Sequence, residues 1–237
     1  MTSTLARESE AIGVRLTDTQ LRQFNTYMEL LTQWSQRMNL VGNADAEIVE
    51  RRHFLESIAF GAALREREIL RPDARVLDVG AGAGFPGVVL KIVWPTLQLA
   101  LLEATAKKTA FLTALVDELG FESTPVLTGR AETLGHDPAL RDSFDLVVAR
   151  AVAPLPVLLE LTLPFVRIGG RVVTVKGSRA ADELAASKRA LEVLGGKAFT
   201  TPLAVPGPAQ TLVAVVKQRA TPAEYSRRAG APAKSPL

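Results

Sequence analysis

The chain has 237 residues, 47% of them hydrophobic and 22% charged, which supplies enough apolar material for one core and argues against a chain disordered by composition. It holds no cysteine and two histidines, His53 and His136, so disulfides, thiolate catalysis and Cys-ligated zinc are excluded; a His-built metal site is not expected, and a reducing cytoplasm fits. The net charge of +3 is uneven: residues 1–70 carry eight Lys/Arg against ten Asp/Glu, whereas residues 217–237 carry five against one, so the basic end reads either as contacting an anionic partner or as a solvated tail.

The first ten residues contain acids and no apolar stretch, unlike a signal peptide. From Thr17 to Met38 the apolar residues Leu21, Phe24, Met28, Leu31 and Trp34 recur every three or four positions, which predicts an amphipathic helix, with Thr17 and Gln20 as its capping box. A loop over Arg37–Gly42 leads to a second helix over 46–64. Residues 1–70 are therefore expected to form a helical extension packed on a core domain at 71–220. In that domain, strands are predicted at 75–80, 97–102, 124–128, 144–149 and 171–176, and helices at 86–93, 105–119, 155–166 and 180–194. Near-continuous apolar strands alternating with helices indicate a parallel sheet covered on both faces. The apolar run Ala151–Ile168 is interrupted by Pro154, Pro156, Glu160, Pro164 and Arg167 and does not suit a membrane span. Segments 197–205 and 210–218, split by Pro206-Gly207-Pro208, read as a closing hairpin that adds antiparallel pairing. The tail at 221–237, with Pro222, Pro232 and Pro236, is expected to be extended.

The stretch Arg75-Val-Leu-Asp-Val-Gly-Ala-Gly-Ala-Gly-Phe-Pro-Gly87 reads as a strand ending in an acid, a glycine-rich turn and a helix start. Backbone amides and a helix N-terminus then surround a bound cofactor. Asp78 followed by Gly80, Gly82 and Gly84 is the spacing of S-adenosylmethionine (SAM) methyltransferases. Gly82-Ala-Gly84-Phe-Pro-Gly87 also satisfies the dinucleotide pattern G-x-G-x-x-G, so an NAD(P)-dependent oxidoreductase is the rival reading. Against it, Asp78 would repel a pyrophosphate, Gly80 would have no task, and a Pro interrupts the turn. Ligands of open α/β sheets bind outside the carboxyl ends of the strands. Asp78, Glu103 and Arg150 end the first, second and fourth strands, and Glu103 is placed to accept hydrogen bonds from ribose hydroxyls. Arg150 has a competing structural role as an ion-pair partner of Asp78 or Glu103. His53 reads as a helix residue satisfied by neighbours or as a substrate contact.

Several blocks together resemble the RsmG (GidB) family, SAM-dependent methyltransferases of guanine N7 in 16S ribosomal RNA. They are Tyr27-Met-Glu-Leu-Leu with Trp34 and Asn39-Leu, Arg52-His-Phe-Leu-Glu-Ser57, the turn with its Phe85-Pro-Gly ending, Lys107-Lys108, Gly129-Arg-Ala-Glu132, Ala149-Arg-Ala151, Lys176-Gly177, and Tyr225-Ser-Arg-Arg-Ala-Gly-Ala-Pro within the tail. Ser226 stands where the family commonly has Pro, and Glu56 where it commonly has Asp. The resemblance implies a doubly wound, mostly parallel seven-stranded α/β sheet of the class I methyltransferase kind. It further implies SAM contacts by Gly80, Phe85, Ala131, Glu132 and Arg150, to which the turn and strand ends add Gly82 and Glu103. Arg150 is the expected catalytic residue, at the junction of cofactor and substrate. The implied partners are 16S ribosomal RNA, the small ribosomal subunit or its assembly intermediate, with S-adenosylhomocysteine (SAH) as product, no metal, no membrane, and a monomer as the default state. Lys107, Lys108, Lys176, Arg179, Lys188, Arg189 and the tail are candidate phosphate contacts. A non-catalytic ribosome-associated module is the second rival.

Overall fold

Along each central strand, alternate side chains enter two different cores, as the period of two in a strand requires. Val76, Leu99, Leu101, Leu146 and Val148 join one apolar cluster, whereas Leu77, Val79, Leu102, Val147 and Ala149 join another. The computed structural model, which describes residues 2–42, 45–204 and 208–237, shows the reason: a seven-stranded sheet with helices on both faces. The strands are β1 (Arg75–Val79), β2 (Gln98–Glu103), β3 (Val126–Thr128), β4 (Phe144–Ala149), β5 (Val166–Lys176), β6 (Gly196–Leu203) and β7 (Gln210–Lys217), in spatial order β3-β2-β1-β4-β5-β7-β6. Pairs from β3 through β5 are parallel, and β7 runs antiparallel to both β5 and β6. The expected α/β fold class and closing hairpin are present. The turn residues Pro206 and Gly207 lie outside the described residues. The strand order reverses between β1 and β4, which puts the crevice where ligands bind beside Val79 and Ala149.

The first face is covered by α1 (Thr2–Ala11), α2 (Asp18–Ser35), α4 (Glu56–Glu66), α5 (Gly87–Val93) and α6 (Ala106–Glu118). The short α3 (Ala46–Val49) runs through a π-helical turn, Glu50–Leu55, into α4. Thr17 and Gln20 form the expected reciprocal cap at 2.9 and 3.3 Å. The Gln20 amide also donates to the carbonyls of Ile92 and Val93 (2.9 and 3.0 Å), so one side chain serves the start of α2 and the end of α5. Helix α4 meets the end of α5 through Gly61, where a Cβ would sit 2.0 Å from the Trp94 ring. Helix α1 escaped prediction because its buried contacts are few: Leu5, with Ser9 donating back to the Leu5 carbonyl.

The second face carries α7 (Ala131–Leu134), α8 (Leu155–Thr162), α9 (Ala180–Ala186), α10 (Lys188–Leu194) and α11 (Ala231–Lys234). The single helix expected over 180–194 breaks at Ser187, whose hydroxyl bonds the Glu183 carbonyl at 2.7 Å. Strand β5 begins five residues earlier than predicted, across Gly169-Gly170, because β4 and β5 shift register between Phe144 and Leu146 and absorb the irregularity.

The tail is not extended, contrary to the expectation from its prolines. It folds back over α8 and ends in α11. Arg141 donates to the carbonyls of Gly135, Thr221, Pro222 and Tyr225. The fully buried Glu160 carboxylate receives the Arg227 guanidinium at 2.8 and 2.6 Å and the Arg227 amide at 2.9 Å. Arg227 is thus consumed inside the fold, leaving Arg228 and Lys234 exposed. Removing one partner of a buried pair strands the other charge at about 3–5 kcal/mol. Arg227 is partly solvated, so Arg227→Ala is expected to cost about 2–3 kcal/mol, read as a lower urea midpoint with an unchanged slope. A cost below about 0.5 kcal/mol would show that the tail does not hold the second face.

Candidate functional site

The glycine turn is built on a buried acid. Asp78 is fully buried at the end of β1, and its Oδ2 accepts the amide of Gly87, the first residue of α5, at 2.8 Å. A Cβ on Gly87 would lie 2.7 Å from that oxygen, so only glycine permits the approach. Gly84 adopts φ +93, and a Cβ there would meet the Tyr27 hydroxyl at 2.6 Å. That hydroxyl donates to the Ala83 carbonyl, and burial raises its pKa well above the ordinary tyrosine value. The amides of Gly80 and Ala81 both bond the Leu102 carbonyl (2.8 and 3.0 Å), which ties the turn to β2. Glu103, at the end of β2, accepts the Gly82 amide at 3.1 Å and the Thr105 amide at 2.8 Å. A Cβ on Gly82 would meet nothing nearer than the Gly80 carbonyl at 3.7 Å, so that side of the turn is open.

A stack of planar groups adjoins the turn. The Phe85 ring lies 5.3 Å from Tyr27 at 12° and 4.8 Å from His53 at 21°. The Arg150 guanidinium sits 5.3 Å from the Phe85 centroid and donates to His53 Nδ1 at 2.8 Å. Arginine only donates, so Nδ1 accepts and the ring proton is on Nε2. Burial, then the charges of Arg150 and Arg52, push the His53 pKa down to about 4. The ion-pair partner of Arg150 is Glu56, at 3.7 Å, and neither of the acids weighed for it: Asp78 is held by Gly87 and Glu103 by backbone amides. His53 and Glu56 are supplied by the π-helical turn and the start of α4.

Gly80, Gly82, Phe85, Glu103 and Arg150 thus meet at the carboxyl ends of β1, β2 and β4. Ala131 and Glu132 start α7 just beyond β3, but the Glu132 carboxylate turns toward the tail and accepts the Gly230 amide at 2.9 Å. The side chain of Lys176, a candidate phosphate contact, is engaged by Glu183 at 2.9 Å and the Ala153 carbonyl at 2.8 Å, where it braces the loop after β4. Lys107, Arg130 and Arg179 are exposed just after the carboxyl ends of β2, β3 and β5, on the edge of the sheet where the crevice opens. Tyr27 and Glu56 stood inside quoted blocks without an assigned role; the spacing of aromatic residues in α2 reads equally as core.

The sequence matches the model of the family described as "GidB: rRNA small subunit methyltransferase G" over residues 20–212. The chain belongs to the GidB family. A GidB relative named ribosomal RNA small subunit methyltransferase G, from Acetivibrio thermocellus, is 39% identical over 238 residues, spanning 98% of this chain and 95% of its own. The protein of that name from Roseiflexus sp. strain RS-1 is 41% identical over 235 residues, spanning 98% of each. The GidB fold is shared with solved methyltransferases: a putative O-methyltransferase from Klebsiella pneumoniae aligns with TM-score 0.53 at 15% identity, over 81% of this chain and 90% of that one. Membership in GidB decides between the two readings of the glycine turn in favour of a methyltransferase.

Burial, opposed by the Gly87 amide and Arg150 and assisted by Glu103, pushes the Asp78 pKa up to about 7. Between its ordinary value of 3.8 and about 7, the native state holds a proton that the unfolded chain has released. The stability it contributes is therefore full below pH 4 and lost as pH rises to 7. The depressed His53 works in the opposite sense, its contribution present at neutral pH and lost as pH falls toward 4. Asp78→Asn, which keeps an acceptor for Gly87, is expected to gain stability relative to the parent as pH rises from 4 to 7. Parallel stability curves in urea titrations across that range would refute a buried, proton-holding Asp78.

Proposed function

We propose that this chain transfers a methyl group from SAM to N7 of a guanine in 16S ribosomal RNA. The observation that carries the reading is the joining of the open glycine turn to Glu103 on one side and to the Phe85–Arg150–His53 stack on the other, within a GidB-family chain. The donor set fits the cofactor. Glu103 spends one lone-pair direction on each of two amides and keeps others for ribose hydroxyls, and the unobstructed side of Gly82 admits a ligand against the backbone. Gly80, Gly82, Phe85 and Glu103 would hold SAM, with the backbone of Ala131 and Glu132 flanking the adenine. The bound sulfonium supplies an electrophilic methyl group.

The protein's own residues do the rest. Guanine N7 carries an in-plane lone pair and no proton, so no general base is required. His53, neutral at pH 7 and with Nδ1 occupied by Arg150, is not poised as one. Catalysis then rests on holding the reacting atoms in line, an effect worth roughly 7–11 kcal/mol. Arg150, fixed by His53, by the Arg52 carbonyl at 3.4 Å and by Glu56, stands where cofactor and base meet. Lys107, Arg130 and Arg179 on the rim provide phosphate contacts that orient the RNA without reading its sequence. Among the described residues, no helix is long and apolar enough to cross a membrane.

Methyl incorporation into small subunits lacking the modification, with recovery of 7-methylguanine on base analysis, tests the reading; no incorporation would favour a non-catalytic module. Gly82→Asn separates fold from cofactor, because Asn tolerates the positive φ of +56 while its side chain enters the open space. It is expected to weaken SAH binding at least tenfold by calorimetry with thermal stability nearly unchanged. Unaltered SAH affinity would remove the turn from the cofactor site.

A further inference from the structure

The loop that carries Arg150 out of β4 is fixed at both ends by side chains of β5 and α9. At its near end the Thr174 hydroxyl donates to the Ala149 carbonyl at 2.8 Å. At its far end the Lys176 ammonium donates to the Ala153 carbonyl at 2.8 Å, and the Glu183 carboxylate accepts the Leu155 amide at 2.8 Å. Lys176 and Glu183 are themselves an ion pair at 2.9 Å, with side chains only 12% and 19% exposed. The last residue of β5 and the first turn of α9 thus act on the loop as one clamp.

Between the two anchors Ala151 adopts φ +56, a left-handed conformation that a residue with a Cβ keeps only where its surroundings impose it. The neighbours on either side of that bend both meet the glycine turn. Arg150 lies over the Phe85 ring, and Val152 rests on Gly80, where a Cβ would lie 2.7 Å from Val152 Cγ2. Val152 is nevertheless 36% exposed. One clamped loop therefore presents a guanidinium and an apolar side chain to the crevice.

We propose that Lys176 and Glu183 are positioning residues for methyl transfer, holding residues 150–154 so that Arg150 and Val152 stand against the glycine turn. The proposal rests on the methyltransferase reading of the preceding subsection, and it gives Lys176 a task other than phosphate binding. Burial and charge separate the two tasks. The Lys176 ammonium is enclosed and its charge is met by Glu183, whereas Lys107, Arg130 and Arg179 are exposed. A neutralised pair adds little to the field that gathers RNA. In a reaction catalysed by alignment, however, a displacement of about 1 Å can cost on the order of 100-fold.

Lys176→Met keeps the length of the side chain and removes its charge. With small subunits lacking the modification as substrate, it is expected to lower kcat roughly 10- to 100-fold, while KM for the subunit and SAH affinity each stay within about threefold. Glu183→Gln is expected to act in the same direction, and the double variant to be no slower than the slower single one, because both act on one loop. Hydrogen exchange at the Leu155 amide, read without substrate or cofactor, is expected to quicken roughly tenfold in Lys176→Met. The salt slope of RNA binding is expected to match that of the wild type. A phosphate-binding lysine gives the reverse pattern: kcat unchanged, KM raised and a shallower slope. That pattern overturns the proposal, as does SAH affinity falling in step with kcat, which marks general damage to the fold. Unchanged kcat in Glu183→Gln overturns it too, whether or not Lys176→Met folds. A wild-type chain that makes no 7-methylguanine refutes the proposed function instead, and the exchange rate at Leu155 then judges the clamp alone.

Discussion

The contact between Asp78 and the Gly87 amide is the constraint on which the crevice depends. A carboxyl group buried without compensation is expensive, and one backbone N–H at the start of a helix is a small return. The second Asp78 oxygen has no partner among the described residues. What the contact achieves is geometric. It brings α5 against β1, compresses residues 80–86 into a turn with three positive-φ glycines, and turns Phe85 outward toward Tyr27, His53 and Arg150. Each later feature of the crevice is measured from that ring.

The N-terminal helices are structural parts of the site rather than an appendage. Tyr27 from α2 holds a turn carbonyl, His53 orients Arg150, Glu56 balances its charge, and Gln20 secures the far end of α5. The apolar cluster on this face runs from Leu5 to Ala214 without a break at residue 70. On the other face the tail plays a comparable part, closing over α8 through Glu160 and Arg227 and reaching α7 through Gly230.

Much of this was legible in the chain. Alternation of strands and helices indicated the parallel sheet, and the capping box of α2 was visible as Thr17 and Gln20. Asp78, Glu103 and Arg150 were found at strand ends because apolar runs terminate there in charge. The undetected parts share a physical cause: they depend on contacts between residues far apart in sequence. Prolines in the tail signal extension locally, yet Arg141 and Glu160, some 65 to 85 positions earlier, gather its backbone into place. Arg150 advertised a carboxylate partner, and two acids at neighbouring strand ends were the obvious candidates. The actual partner, Glu56, came from a helix whose approach to the crevice no local pattern records. Helix α1 offers too few apolar residues to show a period.

Gly61 has a bearing on the spacing of the crevice. With no side chain there, the Trp94 ring and Leu90 lie directly against the backbone of α4, so α4 and α5 form a close-packed pair. The pair carries Glu56 on one member and adjoins the Phe85–Pro86 turn on the other, so the packing at Gly61 sets the spacing between them. Leu203 and Gln210 belong to the outer hairpin, whose β7 is paired with β5 as well as with β6. The crevice is thus bounded by groups whose spacing is set by helix packing on one side and by a strand ladder on the other.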